Sequence, residues 1–401
     1  MNSPATSTVR LTSLDQFRGY TMFGMLLVNF LGGFAICPRI LRHTNDYCSY
    51  ADTIMPQFLF AAGFAMRLSL GKRLESGGKM PWGRAIRRIL GLALVAIVWY
   101  TIGDFSSIVA NFRNKPTLEV LGALFKRHYF QTLLHIAATS LWILPVVTAS
   151  WRVRVAYAIG SGILHFAISW WFNFNWVHSN PTGIDGGPLG FLSWSIPALC
   201  GTLACDAVRA SGTRAASRIA LSGIVVMLIG WLMSMGTVLY NVKPDDLNMA
   251  GNGVSPVNQK LAIDPVIPSL DRLRSWDGSI VEPPFVPPPD SNHRKWNYWM
   301  MSQRTANLSY PTFAAGVSLV IYALCLWVCD GLGMNLGLFR TLGTNSLAAY
   351  LLHEVAGWIV SPYFPQKTSS VAWAMFGFGC FTLFVSVFCR LLERRRWYIR
   401  V

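Results

Sequence analysis

Apolar runs long enough to cross a bilayer recur from residue 17 to residue 392, and no other feature limits the fold so tightly. In hydrocarbon the backbone must satisfy its own N–H and C=O groups, so a spanning run of this kind is a helix. About 20 residues rising 1.5 Å each cover roughly 30 Å of hydrocarbon. Ten runs approach that length, near 17–36, 53–71, 84–103, 129–148, 153–173, 188–208, 218–240, 306–329, 338–360 and 371–392. The fourth is interrupted by Gln131 and His135. The expected fold is an all-α integral membrane protein of about ten transmembrane helices, a single polytopic domain over residues 1–401. A soluble helical protein fits poorly, because 13% of the residues are charged against roughly 25% in soluble domains.

Orientation follows from the cations. The first fourteen residues are polar and lack the order of a cleavable signal peptide, so the first run is expected to stay as an anchor. With the N-terminus in the cytoplasm, the inner segments hold nineteen Lys and Arg and the short outer segments seven. Cytoplasmic loops gather positive charge, so both termini are expected there. Segment 241–305 stands apart from the count because long loops cross regardless of charge. Its prolines ("DPVIPSLDRLRSWDGSIVEPPFVPPPD") predict an extended outer loop between spans seven and eight, either plain surface or a lid over an outward-facing cavity. The net charge of +16 is dispersed between spans, which speaks for membrane topology and against nucleic acid.

Of eight cysteines, six lie in apolar spans, whereas Cys37 and Cys48 bracket His43 in the first outer loop. A disulfide there would fix the histidine if the outer compartment is oxidising. Neither a CxxC pair nor a Cys/His ligand spacing is present, and no metal is expected.

Ionisable and amide side chains are costly within spans and usually face a cavity or a partner. Their depth is therefore informative. In the orientation above, Asn29 lies in the outer half of span one, and His43 and Asp52 lie at the lip of span two. Gln131 and His135 share one face at the outer end of span four, and His353 and Glu354 reach the outer third of span nine. Singly, each has a structural explanation. Asp52 could cap span two, and Gln131 or His353 could bond between helices. Gathered at one level, they predict a site. At the inner face Arg18, Arg67, Lys72, Arg84, Arg87 and Arg88 read as positive-inside anchors or as a pocket for a polyphosphate.

The motifs "SLDQFRGYTMFGMLLVNFLGG", "HTNDYCSYADTIMPQFLFAAG" and "LGTNSLAAYLLHEV" occur in that order. Together the chain resembles the heparan-alpha-glucosaminide N-acetyltransferase family of transmembrane acyltransferases. The match runs over most of residues 11–360 and is weak in spans five to seven. The resemblance implies an acyl-CoA-dependent acetyltransferase that carries acetyl from cytoplasmic acetyl-CoA to an amino sugar or glycan outside. It assigns the active-site histidine to His43 and the motif aspartate to Asp52. It matches Asn29 to the asparagine before the loop, and Asn345, Ser346, Tyr350, His353 and Glu354 to the late motif. Where the family usually carries Trp-Asn-Gly after the histidine, this chain reads "NDYCSY", a difference on the acceptor side.

On this reading His43 is the base or takes the acetyl itself, Asp52 orients it, and Asn29 donates to the thioester oxygen. His353 is a further catalytic candidate, with Arg18, Arg67, Arg84, Arg87, Arg88, Gln131 and Asn345 expected to hold acetyl-CoA. The expected partners are acetyl-CoA, an amino sugar or glycan acceptor and the lipid bilayer, with no nucleic acid and with a homodimer left open. The expected location is a bacterial inner membrane, or a lysosomal-type membrane in a eukaryote. Two rivals stay open: a proton-coupled secondary transporter, and an O-acetyltransferase of a surface polymer.

Overall fold

The computed structural model describes residues 11–242, 260–290 and 292–398. Arg10, Arg400 and residues 243–259 of the long loop lie outside the described residues. Among the described residues the chain is 71% helix and has no strand. Among the described residues, six segments are long and apolar enough to cross a membrane: Ala51–Glu75, Trp82–Gly103, Trp151–His178, Gly187–Tyr240, Ser309–Gly331 and Val371–Arg394. The protein is therefore a helical, multi-pass membrane protein.

The helices used below are α1 (Thr12–Leu31), α2 (Ile54–Glu75), α3 (Trp82–Gly103), α4 (Phe105–Asn114) and α5 (Thr117–Ala123). Next come α6 (Thr132–Ile143), α7 (Trp151–Ile168), α8 (Phe174–His178), α9 (Phe191–Ser211) and α10 (Ala216–Met233). The last are α11 (Leu270–Arg274), α12 (Ser309–Cys325), α13 (Gly337–Thr344), α14 (Ser346–Val360) and α15 (Val371–Arg394).

Some expected spans take a different form. Gly187–Tyr240 is 54 residues long, roughly 80 Å as one straight helix, and it breaks at Gly212 (φ +56°) between α9 and α10. The first helix starts at Thr12, not 17, because its polar first turns find partners. Ser13 bonds Asp330 through its N–H (3.1 Å) and hydroxyl (2.5 Å), and the Gln16 amide pairs with both backbone groups of Leu336 (3.1 and 3.2 Å). The fourth expected span contains only the 12-residue helix α6. The ninth is broken at Asn345, the junction of α13 and α14.

Helix association in lipid has no hydrophobic drive, so close backbone approach carries it. A Cβ on Gly63 of α2 would sit 1.9 Å from the Ala198 carbonyl oxygen, and one on Gly201 of α9 would sit 2.0 Å from that of Phe60. The same reciprocal contact joins α1 to α13, where Gly19 meets Phe339 and Gly343 meets Asp15. The outward faces stay apolar: α3 buries only Ala96 and Tyr100, while Leu90, Leu94, Leu221 and Leu383 are exposed where lipid tails would lie.

The long loop is more than an extended strap. Bidentate Arg294–Glu282 (2.8 Å) and Arg272–Asp264 (2.8 Å) pairs brace it. Tyr298 is buried against Phe166, Phe174 and His165. Its end, residues 302–307, turns inward and buries Ser302, Thr305 and Asn307.

Candidate functional site

The chain leaves α1 at Leu31 and crosses an irregular segment before the 3-10 turn Ala51–Thr53 that starts α2. Arg42 fixes this segment by donating to the carbonyls of Phe34 (2.7 Å) and Ala35 (2.9 Å). The Cys48 carbonyl accepts from Phe285 N–H of the long loop (3.0 Å). Cys37 and Cys48 are both free thiols, so these bonds, and not a disulfide, hold the loop.

His43 and Asp52 are paired, with Nδ1 2.9 Å from Oδ1. The carboxylate does not cap α2, whose N-cap Thr53 has no side-chain cap bond. Instead it turns back. Besides His43 it accepts from Ser49 N–H (2.9 Å), Ser49 Oγ (2.9 Å) and Thr44 Oγ1 (3.2 Å). The Asp52 side chain is 1% exposed and that of His43 is 47% exposed. A buried carboxylate at Nδ1 makes that nitrogen the N–H donor, which leaves the lone pair on Nε2. Burial pulls the imidazole pKa down, but the hydrogen bond and charge of Asp52, the charge of Asp185 and the Gln303 side chain raise it. The net result lies above the usual histidine value.

His43 lines a cavity of about 610 Å³ together with Asn29, Arg42, His353 and Glu354. Asn29 Nδ2 and His353 Nε2 are 3.3 Å apart, and His353 Nε2 lies 3.4 Å from Glu354 Oε1. Asn29, His43 and His353, 324 residues apart at the extremes, thus share one cavity.

Three further residues join this centre that the sequence did not single out: Asp185, Gln303 and Tyr310. Asp185 sits in the turn "GIDGG" at φ +53° and is 4% exposed. Its Oδ1 accepts from Gln303 Nε2 (2.8 Å), and its carbonyl accepts from the buried Trp194 indole (2.8 Å). Burial raises its pKa to about 6; the Gln303 bond and the His43 charge lower it, and the Asp52 charge adds to the rise. Tyr310 closes the frame: its hydroxyl donates to the Asp52 carbonyl (2.5 Å) and its ring meets Trp194 edge-on at 5.5 Å. A glycine-flanked acid before an apolar helix was the available sign for Asp185. Gln303 offered none.

The residues expected to hold acetyl-CoA are scattered. Arg67 is bound to Asp206 (2.7 Å) and Val147 O (3.3 Å), and Arg154, 1% exposed, bonds the same Asp206. Arg84, Arg87 and Arg88 are exposed on the first turns of α3, and Arg18 is half-buried on α1. Gln131 precedes α6 and donates to His128 O (2.9 Å). His135 is fully buried between Phe130 and Trp194, and neither ring nitrogen has a partner. Asn345 is 1% exposed at the α13–α14 break, and neither amide atom has a partner. Such an orphaned amide suits a polar ligand inside the bundle, while Arg67 is already committed. A second cavity, about 460 Å³, opens at the far end of α9 beside Ser211, Arg214 and Arg218.

Compared with models of known families and with curated proteins, the chain matches none.

Proposed function

We propose that this chain is a transmembrane acetyltransferase, taking acetyl from cytoplasmic acetyl-CoA and delivering it to an amino sugar or glycan outside. Ten membrane passages with both termini cytoplasmic would put the His43 cavity at the outer face, the periplasmic side in a bacterial inner membrane. The observation that carries the reading is the His43–Asp52 pair, opening with Asn29 and His353 onto one cavity. An imidazole held at Nδ1 by a buried carboxylate has a free Nε2 for an acceptor proton or the acetyl group. Asn29 supplies an amide donor for the negative charge that builds on the carbonyl oxygen.

The resemblance to the heparan-alpha-glucosaminide N-acetyltransferase family agrees with this arrangement, since its motif residues His43 and Asp52 are the pair in contact. Purified protein and a His43→Ala variant, given labelled acetyl-CoA and a panel of amino sugars, provide the test. Label on a sugar with wild type alone supports the reading. Equal product from both proteins removes His43 from the chemistry.

One observation favours a secondary transporter instead. A helix broken at Asn345, with an orphaned amide at the break, resembles the discontinuous helices that coordinate transported solutes. Acetyl-CoA-dependent product separates the two readings, because a transporter releases no CoA.

A further inference from the structure

One short loop, residues 179–187 between α8 and α9, gathers three cations. Lys126 Nζ donates to the Ser179 carbonyl (2.8 Å) and hydroxyl (2.9 Å). Arg127 Nη1 donates to the Thr182 carbonyl and hydroxyl, both at 2.8 Å. Arg304 is joined through its carbonyl, which accepts from Gly186 N–H (3.0 Å). Among the described residues no carboxylate pairs with any of the three. The acid of the loop, Asp185, is buried and accepts from Gln303 (2.8 Å), and Asp104 pairs with His128 (3.3 Å). Lys126 is 4% exposed, so its ammonium is buried without a counter-ion, a costly arrangement unless an anion comes close.

The surroundings of these cations are aromatic and apolar. Arg304 stacks over Trp296 (4.6 Å), Trp296 lies against His178 (5.3 Å), and Lys126 lies over Trp176 (5.3 Å). From Trp176 the rings continue through Phe172 (6.5 Å) to the exposed Trp171 (5.2 Å). On the chain just before Lys126, Leu118, Leu121 and Phe125 form one exposed apolar stripe along α5 and the π-helical turn Leu124–His128. The opposite side of this segment, Val120 and Leu124, is buried against Ile108. An apolar stripe facing outward, a group of tryptophans and cations at their edge describe a segment at the level of lipid headgroups.

We propose that Arg127 and Arg304, backed by the buried charge of Lys126, bind the phosphate of an anionic phospholipid in the leaflet on the His43 side of the bundle. Guanidinium groups match phosphate oxygens with paired N–H donors, and the acyl chains would follow the Leu118–Phe125 stripe. Inorganic phosphate could use the guanidinium groups but gains nothing from that stripe, so the occupant is the lipid. The site stands independently of the acetyltransferase reading.

The test uses the full chain in a neutral detergent, titrated with phosphatidylglycerol, phosphatidylcholine or inorganic phosphate, with bound lipid counted by native mass spectrometry. Wild type is expected to hold one phosphatidylglycerol roughly 10-fold more tightly than phosphatidylcholine, and excess inorganic phosphate should leave it in place. R127Q/R304Q should weaken phosphatidylglycerol roughly 30-fold, the effect of two cations at a lipid surface. R113Q/K115Q removes the same charge from the exposed end of α4 and should stay within two-fold of wild type. R127Q alone changes an exposed side chain and should lose about 5-fold; it carries the comparison if the double variant does not fold. Equal affinity for the two lipids overturns the inference, as does an unchanged affinity in R127Q/R304Q or an equal loss in R113Q/K115Q. Displacement of the lipid by inorganic phosphate would make this a free-anion site and overturn the assignment to lipid.

Discussion

Two aspartates near opposite ends of the bundle show how similar chemistry can serve different ends. Asp206, near the C-terminal end of α9, is held by Arg67 and Arg154. Both partners are guanidinium groups, which donate hydrogen bonds and have no acceptor atom to offer a ligand. That cluster can lock helices but has nothing to exchange. Asp52, at the start of α2, is held by Ser49, Thr44 and one imidazole whose other nitrogen is free of it. An acid paired with arginines is a fastener. An acid paired with a histidine on a cavity leaves the second ring nitrogen able to meet a ligand.

The comparison can be broken from either side. His43→Ala should lower acetyl transfer by on the order of 10⁴-fold and leave the melting temperature within a degree or two of wild type, since the ring is half-exposed; a matching loss of stability would make His43 a fastener too. Asp206→Ala should do the reverse. It strands Arg154, 1% exposed, and removing one partner of a buried pair costs about 3–5 kcal/mol. Thermal unfolding in detergent checks this, and an unshifted transition would mean that water already serves Arg154.

Asp52→Asn sharpens the contrast, with transfer falling on the order of 100-fold. The sign of its pH effect is fixed. Asp52 raises the His43 pKa against burial, so its loss lowers that pKa, and the acid limb of kcat/KM should move to lower pH. A limb that stays put would assign it to another group. The smallest effect belongs to Tyr310→Phe, which removes one hydrogen bond to the Asp52 carbonyl and should cost about 1 kcal/mol of stability. A transfer rate that collapses instead would give Tyr310 a direct part in the chemistry.

The sequence made the membrane character legible because apolar periodicity is local, and it made the lip of α2 legible because His43 and Asp52 are nine residues apart. What it hid was non-local. Gln303 reaches Asp185 across 118 positions, and no pattern near either residue announces the pair. The break at Asn345 was visible only as an Asn-Ser helix start inside an apolar run, a signal that hydropathy outweighed. Arg67 looked available for a phosphate until its partner Asp206 came close through tertiary packing. The polar first turns of α1 looked too hydrophilic to belong to a buried helix, yet Asp330 and Leu336, more than 300 residues away, satisfy them.

The bond from Tyr310 to the Asp52 carbonyl has a consequence in time. Residues 43 and 52 leave the ribosome early, and at about 5–20 residues per second Tyr310 follows roughly 13 to 52 seconds later. Asp185 and Gln303 arrive in between, and His353 still later. A nascent chain thus holds its histidine and aspartate for many seconds before the remaining walls of the cavity exist. The order of synthesis leaves the His43–Asp52 pair without the rest of its cavity until most of the chain has been made.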